Sequence, residues 1–221
     1  MIDVVEISRE VLGRLTTIGY EKNGIVSSGQ LIFPSKSDDK RISEQELRQL
    51  FIEEFKDKYK TLYFSIETPT VCKYSFTNEL NEIKVSENGQ SALLDMCILN
   101  KKDNKSNYYR LLNIEFKHKN ATEANISKDI LKLMHEEENG AFILLLKNTD
   151  AGTLPCVFKK FSNSFETHKK QWKGEKDKFI QLVIISLEEE TNKNKTAFFT
   201  YKNIFENDLE TIKKNIGNEW I

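Results

Sequence analysis

The sequence has few cysteines, and their spacing argues against two classes of protein. Cys72, Cys97 and Cys156 are odd in number and far apart, and none belongs to a CxxC pair. This pattern argues against a disulfide framework of the kind found in small secreted domains. The three histidines share no metal-ligand spacing with the cysteines, which argues against a zinc site. We therefore expect reduced thiols in a cytoplasmic protein.

The sequence also lacks an excess of positive charge and a long apolar run. Its formal net charge is −1, so no overall basic field indicates nucleic-acid binding. Local lysine clusters do occur, for example at Lys101, Lys102 and Lys105, and we interpret them as solvated residues, with a phosphate-binding surface as the alternative. No stretch reaches the roughly 20 apolar residues that a membrane helix needs. The first residues do not resemble a signal peptide, so we expect no membrane association.

The composition is that of a folded protein with a highly charged surface. Apolar residues make up 38% of the 221 residues and charged residues 30%. A chain of this length can bury a sizeable core, and no repeat or low-complexity linker divides it. We therefore expect one domain, residues 1–221, with additions at both ends of a central core.

The clearest predicted elements lie between residues 43 and 148. Ser43 and Glu46 form a capping-box pattern that predicts a helix over 44–58. Three strands, 61–76, 91–99 and 108–118, follow with no helix between them, which favours an antiparallel meander with a bend or bulge at Pro69.

A second helix and a buried strand complete this central region. The apolar residues Ile126, Ile130, Leu133 and Met134 recur at helical spacing, and Asn139–Gly140 is predicted to end that helix. Residues 141–147 contain a continuous apolar run, 141–146, and predict a central strand, parallel to the strand before the helix. The other predicted elements are a helix over 5–18, a strand at 31–34, a helix through 158–172, strands at 179–187 and 196–202, and a C-terminal helix ending near residue 216.

Three charged residues lie in strands whose neighbours are apolar. Asp95 is flanked on both sides by three apolar residues, in "ALLDMCIL", and an unpaired buried carboxylate is costly. Glu115 and Lys117 lie two residues apart in "NIEFKH", so they share one face of their strand. An ion pair or a hydrogen-bonded structural aspartate would explain these residues. A divalent metal ion shared by Asp95 and Glu115 is the alternative, because hard cations prefer oxygen ligands.

The order helix, strand, strand carrying Asp95, strand carrying Glu115-x-Lys117, helix and strand resembles the core of the PD-(D/E)XK nuclease superfamily. The resemblance covers about residues 43–148, and it includes the strand end "IEFKHKN" followed by a helix containing "SKDILKL". Leu94 stands where many members have proline. The resemblance implies an α/β fold with a restriction endonuclease-like αβββαβ core, a mixed sheet flanked by helices, and a C-terminal elaboration over about 149–221.

The resemblance also implies residue roles. Asp95 and Glu115 would bind Mg²⁺ or Mn²⁺ together with the backbone carbonyl of Phe116, and Lys117 would orient the attacking water. Many members add a glutamate from the first helix. We favour Glu46 for that role, then Glu54, with Glu44 and Glu53 as the other candidates.

Among the other polar residues near the motif, one is a further site candidate and the rest have a structural interpretation. Glu67, a second carboxylate in a strand, is a further candidate for the site. We interpret His118 as packing or surface, and Asp129 and Lys128 as solvated helix charges.

The expected function is that of a metal-dependent nuclease acting on nucleic acid, with DNA favoured over RNA. A homodimer is an open alternative to a monomer, because such sites often act in pairs. The second hypothesis is a nuclease fold without catalysis that binds nucleic acid or a protein. The third is an unrelated α/β protein whose ion pair is structural.

Overall fold

The computed structural model describes residues 2–17, 26–33, 35–36, 39–40, 42–76, 83–102, 107–119, 121–147, 152–175, 177–187 and 194–200. Its helices are α1 (Val4–Thr17), α2 (Glu44–Lys58), α3 (Glu123–His135) and α4 (Thr153–His168), followed by a short 3₁₀ turn (Lys169–Gln171). Its strands are β1 (Val26–Ser28), β2 (Leu31–Phe33), β3 (Ser35–Lys36), β4 (Asp39–Lys40), β5 (Tyr63–Phe76), β6 (Ile83–Val85), β7 (Gln90–Lys101), β8 (Tyr108–His118), β9 (Asn139–Leu146), β10 (Phe179–Ser186) and β11 (Asn194–Thr200).

A mixed sheet forms the centre of the molecule. In the described residues it has seven strands in the order β11-β10-β9-β8-β7-β5-β6. Strands β5, β7 and β8 pair antiparallel, whereas β8, β9 and β10 pair parallel. Strand β8 therefore separates the antiparallel strands β7, β5 and β6 from the parallel strands β9 and β10, and the edge strand β11 pairs antiparallel with β10. Helix α3 is the crossover that joins β8 to β9. Two small hairpins, β1–β2 and β3–β4, lie outside this sheet.

Helices cover both faces of the sheet. On one face α1 and α2 bury residues such as Leu12, Leu50 and Phe51 against Ile114 and Phe116 of β8. On the other face a second apolar cluster joins α3 and α4 to the sheet through residues such as Ile130, Phe161, Phe142, Leu144 and Leu182. Strand β9 is buried on both faces, because its alternate residues belong to the two clusters. The protein is thus an α/β fold with a helix layer on each side of a mixed sheet.

The predicted order of elements in the centre of the chain is confirmed. The helix at 44–58 and the strand at 108–118 have the predicted bounds, and β9 is the predicted buried strand, parallel to β8. The pairing of β5 with β7 shifts register between Pro69 and Lys73, so the predicted irregularity is also present. The predicted C-terminal helix lies outside the described residues, as do residues 201–202 of the predicted last strand.

Two predicted helix ends are wrong. Helix α4 ends at His168 and is followed by the 3₁₀ turn, whereas the predicted helix ran through residue 172. Helix α3 ends at His135 and is followed by an extended cap at Glu136, whereas Asn139 and Gly140 are the first residues of β9. Among the described helices, none combines the length and the apolar character needed to cross a membrane.

Candidate functional site

The charged end of β8 faces α3. Glu115 lies opposite Phe142 and Lys117 opposite Leu144 in the parallel register with β9, and both partners belong to the apolar cluster under α3 and α4. The residue between them, Phe116, points to the other face and contacts Phe51 of α2 edge-to-face at 5.3 Å between ring centroids. Glu115 and Lys117 therefore share a face, as strand alternation predicts.

Asp95 lies where the ladder between β7 and β8 stops. The last described pair is Met96 with Ile114, and beyond it the Oδ2 atom of Asp95 accepts a hydrogen bond from the backbone N–H of Phe116 at 2.8 Å. A side chain thus takes the place of a ladder carbonyl at this point. Leu94 and Met96 pack on opposite faces of the sheet, so the alternation of β7 is interrupted at Asp95. Irregularities of this kind re-aim side chains next to functional sites.

Helix α3 adds two charged residues that the sequence interpretation did not place in the site. Asp129 is 1% exposed, so its interpretation as a solvated charge is wrong, and Lys132 is 5% exposed. Asp129 lies three residues after Ile126 and four before Leu133, inside the apolar stripe of the helix. That position was the available signal that Asp129 is buried against the sheet.

Four residues form a continuous ion-pair network: Glu115, Lys117, Asp129 and Lys132. The Nζ atom of Lys117 lies 2.9 Å from Oδ2 of Asp129, and the Nζ atom of Lys132 lies 2.8 Å from Oδ1 of the same carboxylate. Lys132 also reaches Oε1 of Glu115 at 2.6 Å. The carboxylate of Asp129 is therefore shared by two ammonium groups, one from β8 and one from its own helix.

Burial and charge shift the pKa values of this network in opposite directions. Burial raises the pKa of Glu115 well above its ordinary value, and the nearby charge of Asp129 adds to that rise. Burial also opposes ionisation of Asp129, but the ammonium groups of Lys132 and Lys117 hold its pKa below the ordinary value. For both lysines burial lowers the pKa, and the surrounding carboxylates outweigh it and raise the pKa. Within the network Glu115 is thus the carboxylate whose charge is least compensated.

The helix carboxylate next to Lys117 is Glu44 rather than Glu46. An Oε2 atom of Glu44 lies 3.5 Å from Nζ of Lys117, and burial raises the pKa of Glu44. Glu46 instead accepts a hydrogen bond from the backbone N–H of Ser43 at 2.7 Å, as the capping box requires. This contact supports helix capping as the role of Glu46.

The other carboxylates considered as candidates have partners elsewhere. Glu53 and Glu54 both pair with Arg14 of α1, at 2.7 and 2.9 Å. Glu67 is exposed, has a positive φ of 48°, and pairs with Arg48 of α2 at 2.5 Å.

His118 lies next to Lys117 in the chain but is not part of the network. Its ring is half-buried, and burial lowers its pKa to about 4, with Lys119 and Lys147 adding to that effect.

The oxygen atoms at this site have the chemistry of ligands for a hard divalent cation. Oε2 of Glu115 is buried and has no hydrogen-bond partner among the described residues. The charge of Asp95 is near enough to raise the pKa of Glu115. The carbonyl oxygen of Phe116 accepts a hydrogen bond from Lys117 at 2.8 Å and keeps a second lone pair. In the part of the chain that the structure describes, no three histidine, cysteine, aspartate or glutamate side chains are grouped so that they could hold a metal ion.

The chain was also compared with known proteins. No protein-family model, curated protein or solved structure matches it.

Proposed function

We propose that the protein is a metal-dependent nuclease that hydrolyses phosphodiester bonds, with DNA as the favoured substrate. The observation that carries the proposal is the position of Lys117. Its side chain lies at the end of β8 and is 16% exposed, and its ammonium group contacts two carboxylates. Asp95 and Glu115, the two carboxylates of the motif, come from the neighbouring strands β7 and β8, and the charge of Asp95 raises the pKa of Glu115.

The side chains divide into two roles. Asp95, Glu115 and the carbonyl oxygen of Phe116 would hold Mg²⁺ or Mn²⁺, which when bound supplies a nucleophile near neutral pH and stabilises developing anionic charge. Lys117 would orient the attacking water and stabilise negative charge on the phosphate. Its partners Asp129 and Glu44 keep the amine protonated and fix its position, since they raise its pKa.

The first test is hydrolysis of single- and double-stranded DNA and RNA with Mg²⁺, with Mn²⁺ and with EDTA. We expect metal-dependent cleavage by the wild type. Isosteric neutral variants, Asp95→Asn, Glu115→Gln and Lys117→Met, should each lower the rate by about 100-fold or more, the usual cost of losing a group that acts on the reacting atoms. Glu137→Gln, an exposed residue after α3, is the matched control and should cleave at the wild-type rate.

Two results would contradict the proposal. Absence of cleavage for all four nucleic acids with both metal ions would overturn the assignment as a nuclease. Normal turnover by Lys117→Met would refute the role given to that lysine while leaving the metal ligands in question.

A catalytically inactive nuclease fold that binds nucleic acid or a protein is the second candidate. The contact between Lys132 and Glu115, at 2.6 Å, favours it, because a protein ammonium group already neutralises one of the presumed metal ligands. Measuring Mn²⁺ binding to the wild type and to Lys132→Met separates the two candidates.

A further inference from the structure

The side chain of Lys132 has the surroundings of a bound cation. Its Nζ atom contacts three oxygen atoms from three elements: Oε1 of Glu115 at 2.6 Å, Oδ1 of Asp129 at 2.8 Å and the carbonyl oxygen of Leu93 at 2.9 Å. An environment made of carboxylate and carbonyl oxygens is also the one that hard divalent cations prefer. A single ammonium group therefore occupies an all-oxygen site between β7, β8 and α3.

The contacts of Lys132 are closed off from water. Lys132 is 6% exposed by its side chain, and Glu115 and Asp129 are each 1% exposed. Burying these charges is favourable only when they compensate one another, because each loses its hydration. An added cation at Glu115 would therefore meet Lys132 as a direct competitor for the same carboxylate.

The ion-pair network and its neighbouring carboxylates, Asp95 and Glu44, carry more negative charge than the two lysines can balance. With every group ionised, Asp95, Glu115, Asp129 and Glu44 contribute four negative charges and Lys117 and Lys132 two positive ones, a formal balance of −2. Oε2 of Glu115 is buried without a hydrogen-bond partner in the described part of the chain. A buried carboxylate oxygen without a hydrogen-bond partner is an available ligand for a hard cation.

We infer that the ammonium group of Lys132 stands in for a divalent cation at Glu115 and competes with Mg²⁺ or Mn²⁺ for that carboxylate. This inference rests on the proposed function for the identity of the metal ion. Lys132 is a positioning residue in this scheme, because it acts on the metal ligands and not on the phosphate. It holds the carboxylates in place when no metal is bound, and it sets how tightly the metal binds.

The test replaces the competing charge with a neutral side chain of similar shape, in Lys132→Met. Binding of Mn²⁺ is measured by the loss of the electron paramagnetic resonance signal of the free ion. We expect the variant to bind Mn²⁺ about tenfold more tightly than the wild type or better, because one positive charge next to the site is removed. Lys128→Met, a half-buried lysine on the same helix, is the matched control and should leave Mn²⁺ affinity unchanged. The double variant Lys132→Met/Glu115→Gln should not show this increase in Mn²⁺ affinity.

Thermal unfolding gives a second readout that does not depend on activity. Lys132→Met should unfold at a lower temperature than the wild type without metal, and Mn²⁺ should raise its unfolding temperature by more than it raises that of the wild type. A lysine with a purely structural role predicts equal shifts. Lys132→Gln, which keeps a polar group, is the second variant. If neither variant folds with or without Mn²⁺, the inference is overturned, since the metal ion should replace the missing charge.

The outcomes separate this inference from the proposed function. If the wild type binds Mn²⁺ and Lys132→Met binds it no more tightly, the inference fails and the nuclease proposal stands. If only Lys132→Met binds Mn²⁺, the inference holds, the nuclease proposal fails, and the catalytically inactive fold is favoured. If neither protein binds Mn²⁺, both are overturned.

Discussion

Replacing Glu136 tests how α3 is attached to the sheet that carries the site. The carboxylate of Glu136 is fully buried, and it follows the last turn of α3. It accepts hydrogen bonds from the backbone N–H groups of Val71 and Cys72, each at 2.9 Å, and from Arg110 at 2.8 Å. The two N–H groups lie in the segment of β5 where the register with β7 shifts, so Glu136 provides the acceptors that the neighbouring strand does not.

The expected loss of stability follows from these three contacts. Breaking a buried ion pair by removing one partner costs about 3–5 kcal/mol, and a buried N–H group left without an acceptor costs about 1–3 kcal/mol. These contributions overlap, because the same atoms take part in both. We therefore expect Glu136→Ala to lower the free energy of unfolding by about 3–5 kcal/mol. Glu136→Gln keeps one acceptor oxygen but turns an amide donor toward other donors, so we expect about 2–3 kcal/mol.

The assay is urea denaturation followed by far-ultraviolet circular dichroism. Glu137→Gln is the control: the residue is exposed, and its substitution should change the free energy of unfolding by no more than about 0.5 kcal/mol. A loss below about 1 kcal/mol for Glu136→Gln would refute the reasoning, because it would mean that the three donors find other acceptors or that water reaches them.

Two further predictions concern a buried amine and the cysteines. Burial lowers the pKa of Lys178 to about 8, although nearby carboxylates such as Glu136 oppose this shift. Between about pH 8 and 10.5 the amine is therefore protonated in the unfolded chain but not in the folded protein. The free energy of unfolding should therefore rise over that range by at most roughly 3 kcal/mol, and the rise should be absent from Lys178→Met in urea titrations; an identical pH profile for the two proteins would contradict this. Alkylation followed by mass spectrometry should modify the exposed Cys156 first and Cys97 last, because Cys97 is buried and burial raises its pKa to about 12; early modification of Cys97 in the folded protein would contradict its burial.

Local sequence signals were sufficient for much of the fold. The capping box at Ser43 and Glu46 defined the start of α2, because both partners of that motif lie within one turn. The alternation along β8 placed Glu115 and Lys117 on one face, since a strand has a period of two residues. Each of these predictions depends only on residues close together in the chain.

The end of α3 depended on a residue more than 40 positions away. Lys178 is buried and donates hydrogen bonds to the carbonyl oxygen of Met134, at 2.9 Å, and to that of Glu136. Carbonyl groups at the end of a helix need partners, and a distant amine supplies them here in place of a glycine cap. The dipeptide Asn139–Gly140 therefore gave the wrong boundary, because the local sequence contains no sign of Lys178.

The partners of the strand charges could not be predicted for the same reason. The apolar stripe of α3 indicates that Asp129 is buried, but Asp129 and Lys132 could pair with each other alone at i, i+3 spacing. Only the packing of α3 across β8 brings them to Glu115 and Lys117. The choice between Glu44 and Glu46 was equally non-local. Both lie in the first turn of α2, and the face that turns toward Lys117 is fixed by how the helix docks on the sheet.

The ends of β7 and β8 that are connected to each other, at Lys101 and Tyr108, lie away from the charged site. Lys101, the last residue of β7, lies six positions after Asp95, which corresponds to about 20 Å along an extended chain. A fluorescent dye, an affinity tag or an immobilising anchor attached to Lys102 would thus lie away from the ion-pair network.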